Sequence, residues 1–161
     1  MHRSVVYPQP RHDTAGTRVV GQAGGMLVTR TALVSGLAAG LSKGLSRWRK
    51  PFAVHDPGKI ITDLAVSLAL GGDCLADVAI LRGEPAVFGR VASDPTVSRL
   101  ITTLAEDAPN ALRAINTARA RARARVWALA GDRAPNHAAG AGQPVVIDVD
   151  ATLVTAHSDK E

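Results

Sequence analysis

The chain has 161 residues, 46% hydrophobic but only 3% aromatic, so any core is built from Ala, Val and Leu, and fifteen glycines and nine prolines cut it into short elements. The net charge of +5 falls in blocks, +7 over residues 1–50, −4 over 51–110, +5 over 111–144 and −3 over 145–161, a pattern that favours a polyanionic partner. A single cysteine, Cys74, excludes a disulfide framework and is expected to be buried and inert; with no signal-peptide pattern and no run of roughly 18 apolar residues, the expected location is cytoplasmic, with no membrane partner.

Residues 1–25 are polar and interrupted by Pro8 and Pro10, and read as mostly disordered. From 26 to 48 the larger apolar residues take helical spacing, weakened by Gly36, Gly40 and Gly44, which predicts two short helices rather than one. This segment closes on Arg47-Trp48-Arg49-Lys50. Three cations around an aromatic ring suit phosphate contact and stacking, although Trp48 serves equally well as a core residue ending its helix.

Asp56 and Pro57 fit the N-cap and first position of the clearest helix. Ile60, Ile61, Leu64, Ala65 and Leu68 form its expected buried stripe, and Gly71-Gly72 ends it. A shorter helix follows over 74–82, then a turn through Glu84-Pro85. Ser93-Asp94-Pro95 repeats the capping pattern, with Asp94 as the cap and Val97, Leu100, Ile101 and Leu104 facing inward. Helices 74–82 and 95–105 form a helix-turn-helix-like pair. Thr96, Ser98 and Arg99 would then lie at the outward start of the second helix, where phosphates and base edges are met; an ordinary helix pair with a solvated face is the alternative.

The last predicted helix runs from near Pro109 to Ala130. On it Arg119 and Arg123 share one side and Arg121 and Arg125 the other, so both sides are basic. These arginines suit DNA-backbone or partner contact, a solvated basic face being the alternative. Residues 131–143 read as a linker, and 144–161 as the start of a second domain. Five histidines lack ligand-spaced partners, and no glycine-rich phosphate loop is present.

After Gln143-Pro144 the run Val145-Val146-Ile147 reads as a short buried strand, followed by Asp148 and Asp150 on one side of it. Carboxylates so placed commonly hold a divalent metal or attack a phosphate. The motif D-x-D-x-T, with Thr152, is similar to the first motif of the haloacid-dehalogenase-like phosphatases, which would make this a fragment of such an enzyme.

A second resemblance covers nearly the whole chain. The segments GLSRWRKPFAVHDPGKIITDLAVSLALGGDCLADVAILRGEP (44–85), VFGRVASDPTVSRLI (87–101), RVWALAG (125–131) and PVVIDVDATLVTAHSDKE (144–161) resemble, in order, the N-terminal part of a bacterial insertion-sequence transposase of the DDE type. That resemblance implies a mainly α chain: a helical DNA-binding bundle over 26–130, then the first strand of a ribonuclease-H-like α/β domain. It implies double-stranded DNA, the element's terminal inverted repeats, as partner, and self-association or association with full-length transposase. It also implies Mg2+ or Mn2+ as cofactor in the complete catalytic domain. The first metal-binding carboxylate falls within Asp148 and Asp150, with Asp150 favoured. Two ions about 4 Å apart activate the attacking oxygen and stabilise the leaving one, and one strand does not hold both. A chain ending at Glu161 is therefore expected to stop short of the remaining carboxylates and to be inactive alone. A DNA-binding repressor or dominant-negative protein is the alternative in that case.

Overall fold

The computed structural model describes residues 7–8 and 24–149. These fall into two compact units that meet between Val126 and Trp127. The helices are α1 (Gly25–Val34), α2 (Leu37–Gly44), α3 (Pro57–Ala69), α4 (Val78–Arg82), α5 (Pro85–Phe88), α6 (Asp94–Ala105) and α7 (Ala108–Ala130). Short 3-10 turns occupy Ser46–Trp48, Leu75–Asp77 and Gly131–Arg133. No strand occurs among the described residues, so the chain is mainly α.

The expected break between 26 and 48 is present. Ser35 and Gly36 separate α1 from α2, and Gly36 takes φ +78, a conformation that L side chains resist. The two helices bend by 64° there, and no single helix among the described residues is long and apolar enough to cross a membrane.

Asp56 caps α3 as expected. Its Oδ1 accepts the Lys59 N–H at 3.0 Å, and Pro57 fills the first position. Of the expected stripe on α3, Ile60 is buried and Ile61 and Leu64 pack against the core, but Ala65 and Leu68 are exposed, while Thr62, Asp63, Val66 and Ser67 are buried. Two contacts turn the helix this way. Gly58 lies so close to α2 that an added Cβ would stand 2.1 Å from the Ser42 nitrogen. Asp63 is matched on the inside by Lys59, whose Nζ reaches both carboxylate oxygens at 2.8 and 2.7 Å, and by the Tyr7 hydroxyl, which donates to Oδ1 at 2.8 Å. For Asp63, burial thus rests on polar pairing that apolar periodicity does not register.

Most of the segment expected to be disordered lies outside the described residues. Tyr7, within it, is buried, and the Lys59 ammonium sits 4.6 Å from the centre of its ring.

Three further expectations are corrected. Cys74 is exposed rather than buried, because it opens the turn before α4, where its N–H donates to the Asp77 carboxylate at 2.9 Å. Ser93, not Asp94, takes the N-cap position of α6; Asp94 enters the first turn and pairs with Arg82 at 2.8 Å. Ile101 is 42% exposed, leaving Val97, Leu100 and Leu104 as the inward residues of α6.

Helices α2, α3, α6 and the first part of α7 share one core around Leu41, Leu45, Ile60, Val97, Leu100 and Ala111. A second cluster joins Val66, Leu81, Val87 and Phe88 with Met26 and Val28 of α1. The glycines that weaken α2 as an isolated helix have a use here. A Cβ on Gly40 would lie 3.3 Å from the Ala118 Cβ, and one on Gly44 would lie 3.6 Å from that of Ala114. The two helices approach closely along small residues. Ala111, Ala118 and Ala122 therefore give α7 an inward face between its arginines, which the alternating Arg pattern conceals.

In the second unit, Gly140 and Gln143 exchange backbone hydrogen bonds at 3.0 and 3.1 Å and close a turn. Residues 144–149 follow without assigned secondary structure. The expected burial of Val145–Ile147 is not seen: Val146 and Ile147 are 82% and 77% exposed. A strand is buried by its neighbours, and no strand among the described residues lies beside this segment.

Candidate nucleic-acid interface

Two stretches singled out for phosphate contact, 47–50 and 96–99, come together in the fold. Trp48, Arg49, Lys50, Ala53 and His55 form one side of a depression of about 120 Å³, and Thr96, Arg99 and Thr103 of α6 form the other. Pro57, Ile60 and Leu100 provide its apolar floor. The rim is thus cationic and the base apolar.

Asp56 ties this site to the scaffold. While Oδ1 caps α3, Oδ2 accepts the Ser42 hydroxyl at 2.9 Å and lies 3.6 Å from the Arg49 guanidinium. One carboxylate therefore connects α2, the start of α3 and the 47–50 segment. On the opposite side Arg82 fixes the entry of α6: it donates to the Ala92 carbonyl at 2.9 Å besides pairing with Asp94. Along the start of α6 the Ser93 and Thr96 hydroxyls are 3.1 Å apart, and Arg99 donates to Thr96 Oγ1 at 3.1 Å.

Arg47 stands apart from Arg49 and Lys50. Its guanidinium lies 4.9 Å from the centre of the Trp48 ring and pairs with Asp107 at 3.3 Å. Trp48 packs half-buried against the main core, the second of its two readings, and its ring also forms part of the depression wall. Ser98 is exposed on α6 but does not line the depression.

His55 was not expected to take part. Burial, and then the nearby Arg90 and Lys59 cations, hold its pKa below the ordinary value of 6.5. A neutral imidazole is thus set among positive charges. Nothing in the sequence around Gly89-Arg90-Val91 marks Arg90; only the fold brings it near His55.

Arg119 and Arg123 lie on the exposed part of α7, Arg119 donating to the Asn116 side-chain Oδ1 at 3.3 Å. A larger depression, about 340 Å³ between α1, α2 and α3, is lined by Leu27, Val28, Ala32, Leu37, Val66 and other uncharged residues. It offers a polyanion nothing.

The carboxylate pair is represented by Asp148, in the exposed terminal segment, since Asp150 lies outside the described residues. Among the described residues, the one grouping of three possible metal-ligand side chains is Asp73, Cys74 and Asp77, with ligand atoms within 4.8 Å of one another. That grouping is a turn cap. The Asp77 carboxylate accepts the N–H groups of Asp73 and Cys74, both at 2.9 Å, and these bonds, that from Cys74 foremost, pull its pKa down to about 2. Asp148 does not belong to it, so the described residues do not assemble the donor set that a catalytic divalent ion needs.

No curated protein and no solved structure matches the chain. A family model does, over residues 3–161, that of the transposase DDE domain, group 1. The matched range takes in the helical unit, the basic depression and the Asp148–Asp150 segment. With all but the first two residues matched, this chain belongs to the transposase DDE domain family.

Proposed function

We propose that the helical unit binds the ends of a mobile DNA element as duplex DNA, and that the Asp148–Asp150 segment supplies the first carboxylate of a metal-dependent strand-cleavage and strand-transfer site. The observation that carries the first half is the meeting of Arg49 and Lys50 with Thr96 and Arg99 around one cationic depression. Arg49, Lys50 and Arg99 provide charge for the phosphates. Thr96, and Ser98 on the exposed surface beside it, provide hydroxyls at the start of α6. In this reading α6 is the recognition helix of a helix-turn-helix-like arrangement whose connection is extended by α5 and Gly89. Arg47 positions the Trp48 ring, and Arg119 and Arg123 extend the backbone contacts along α7.

Family membership supports the second half. Asp150 is the favoured carboxylate and Asp148 its neighbour, and hard carboxylate oxygens suit Mg2+ or Mn2+. The chain would be DNA-associated in the cytoplasm and would act with further copies of transposase.

The test is duplex binding followed by fluorescence anisotropy over a range of salt. Each phosphate contact contributes about −0.9 to the slope of log affinity against log salt. Joint charge reversal at Arg49, Lys50 and Arg99 is expected to flatten that slope by two to three such contacts, about 2–3 units, and to weaken binding. An unchanged slope in the triple variant would remove the depression from the interface. Loss of affinity on reversing Arg119 and Arg123 alone would instead move the main contact to α7.

A further inference from the structure

Phe52 is fully exposed, at 103% of its reference area, and its backbone takes φ +61. Both features are unusual for a phenylalanine. An aromatic ring gains most by burial, and a bulky side chain resists the left-handed region. The ring stands at the tip of a tight turn closed by the Ala53 N–H donating to the Lys50 carbonyl at 3.1 Å. Pro51 occupies the second position and Phe52 the third, where a left-handed residue after proline is ordinarily glycine. Arg49 braces the turn by donating to the Ala53 carbonyl at 3.4 Å. The residues on either side of this tip, Lys50 and Ala53, line the cationic depression, so the Phe52 turn forms part of its rim. A strained turn thus holds an unburied ring beside Arg49 and Lys50.

We infer that Phe52 is an unstacking wedge for duplex DNA, inserting its ring between adjacent base pairs while the flanking cations hold the phosphates. The inference rests on the DNA-binding reading of the same surface. Apolar side chains at charged DNA interfaces enter base steps in this way and kink the duplex. Insertion gives the ring the burial it lacks in the free protein. Charge complementarity favours this occupant, because any apolar partner approaching Phe52 must also accept the neighbouring positive groups. Pyrimidine–purine steps, the easiest to unstack, are the expected sites.

Phe52→Gly is the informative variant, since glycine accepts φ +61 without strain and no buried contact is lost. It is expected to unfold no more readily than the original chain. The probe is a duplex of about 30 base pairs with 2-aminopurine in place of adenine at every TA step. Binding of the original chain should raise 2-aminopurine fluorescence and bend the duplex, as read by end-to-end energy transfer. Phe52→Gly should abolish both signals and weaken binding about tenfold, the scale of one lost base–aromatic contact, with the salt slope unchanged because the phosphate contacts remain. Phe52→Trp should retain the fluorescence signal. If the original chain binds but Phe52→Gly gives equal fluorescence and bending, the wedge is overturned and the DNA reading survives. No duplex binding by the original chain sinks both. Phe52-dependent sedimentation with phosphatidylserine vesicles, with DNA behaviour unchanged by the variant, would assign the ring to a membrane surface and overturn the inference.

Discussion

Asp63 shows how one buried charge can set the placement of several elements. Burial raises its pKa, while the Lys59 ammonium, with its hydrogen bonds, and the Tyr7 hydroxyl oppose the rise. Tyr7 is shifted upward as well, first by its own burial and then by the neighbouring carboxylate. Tyr7→Phe leaves a buried carboxylate one donor short and is expected to cost about 1–3 kcal/mol, measured by urea denaturation. The pH dependence has a definite sign. With its folded pKa above its unfolded value of about 3.8, Asp63 binds a proton more readily in the native state. Its contribution to stability is therefore greatest in acid and declines as pH rises from that value through the raised one. Asp63→Asn should remove this decline; a variant whose stability still falls over the same range would assign the slope elsewhere. Asp77 acts in the opposite direction, its stabilisation present above 3.8 and lost as pH falls towards about 2.

At the scale of elements the tightest constraint is the crossing of α2 and α3 at Gly58. An alanine there would drive its Cβ against the backbone of Leu41 and Ser42, which cannot move aside as a flexible side chain would. Gly58→Ala is expected to destabilise the unit by about 3 kcal/mol, at the upper end of overpacking costs. The Gly40–Ala118 contact predicts a graded version, with Gly40→Leu costing about 1–3 kcal/mol by prising α7 from α2. A midpoint within experimental error of the original chain for Gly58→Ala would show that this crossing is looser than the structure has it. Local chemistry made Asp56-Pro57, the two-helix break and the extent of α7 legible in the sequence, because a cap or a helix-breaking glycine acts within a few residues. The close packing of the α2 glycines on the α7 alanines is not legible there, because helix packing is a property of pairs distant in sequence. On α3, Ile60, Ile61 and Leu64 keep the core side that periodicity assigns them, whereas buried Asp63 depends on Tyr7, a partner distant in sequence. Of the candidate interface, Arg49, Lys50, Thr96 and Arg99 could be named from charge and position. His55 and Arg90 could not, since only the tertiary fold makes them neighbours.

For the whole molecule, the charge blocks acquire a structural meaning. The +7 and +5 blocks contribute Arg47, Arg49 and Lys50 and the α7 arginines, whereas several acids of the −4 block are spent internally: Asp56 on a cap, Asp63 on Lys59 and Asp94 on Arg82. Each of these pairings also engages a cation, so the blocks set where charge lies rather than how much of it there is. The cationic depression belongs to the unit ending at Val126 and Asp148 to the one beginning at Trp127. Assigned to different units, binding and chemistry are expected to be separable by mutation. In a form of the protein that cleaves element-end DNA with Mg2+ or Mn2+, Asp150→Ala is expected to abolish cleavage while changing duplex affinity by less than about twofold, within the error of additivity. Reversal of Arg49, Lys50 and Arg99 should do the converse at limiting DNA, lowering occupancy while saturating DNA restores the cleavage rate. Filter binding and single-turnover cleavage on the same duplex measure the two quantities independently. Abolition by Asp148→Ala but not by Asp150→Ala would exchange the roles within the pair. A loss of DNA affinity in Asp150→Ala comparable to the triple reversal would mean that the terminal segment is itself part of the DNA-binding surface, and the division of labour proposed for the two units would fail.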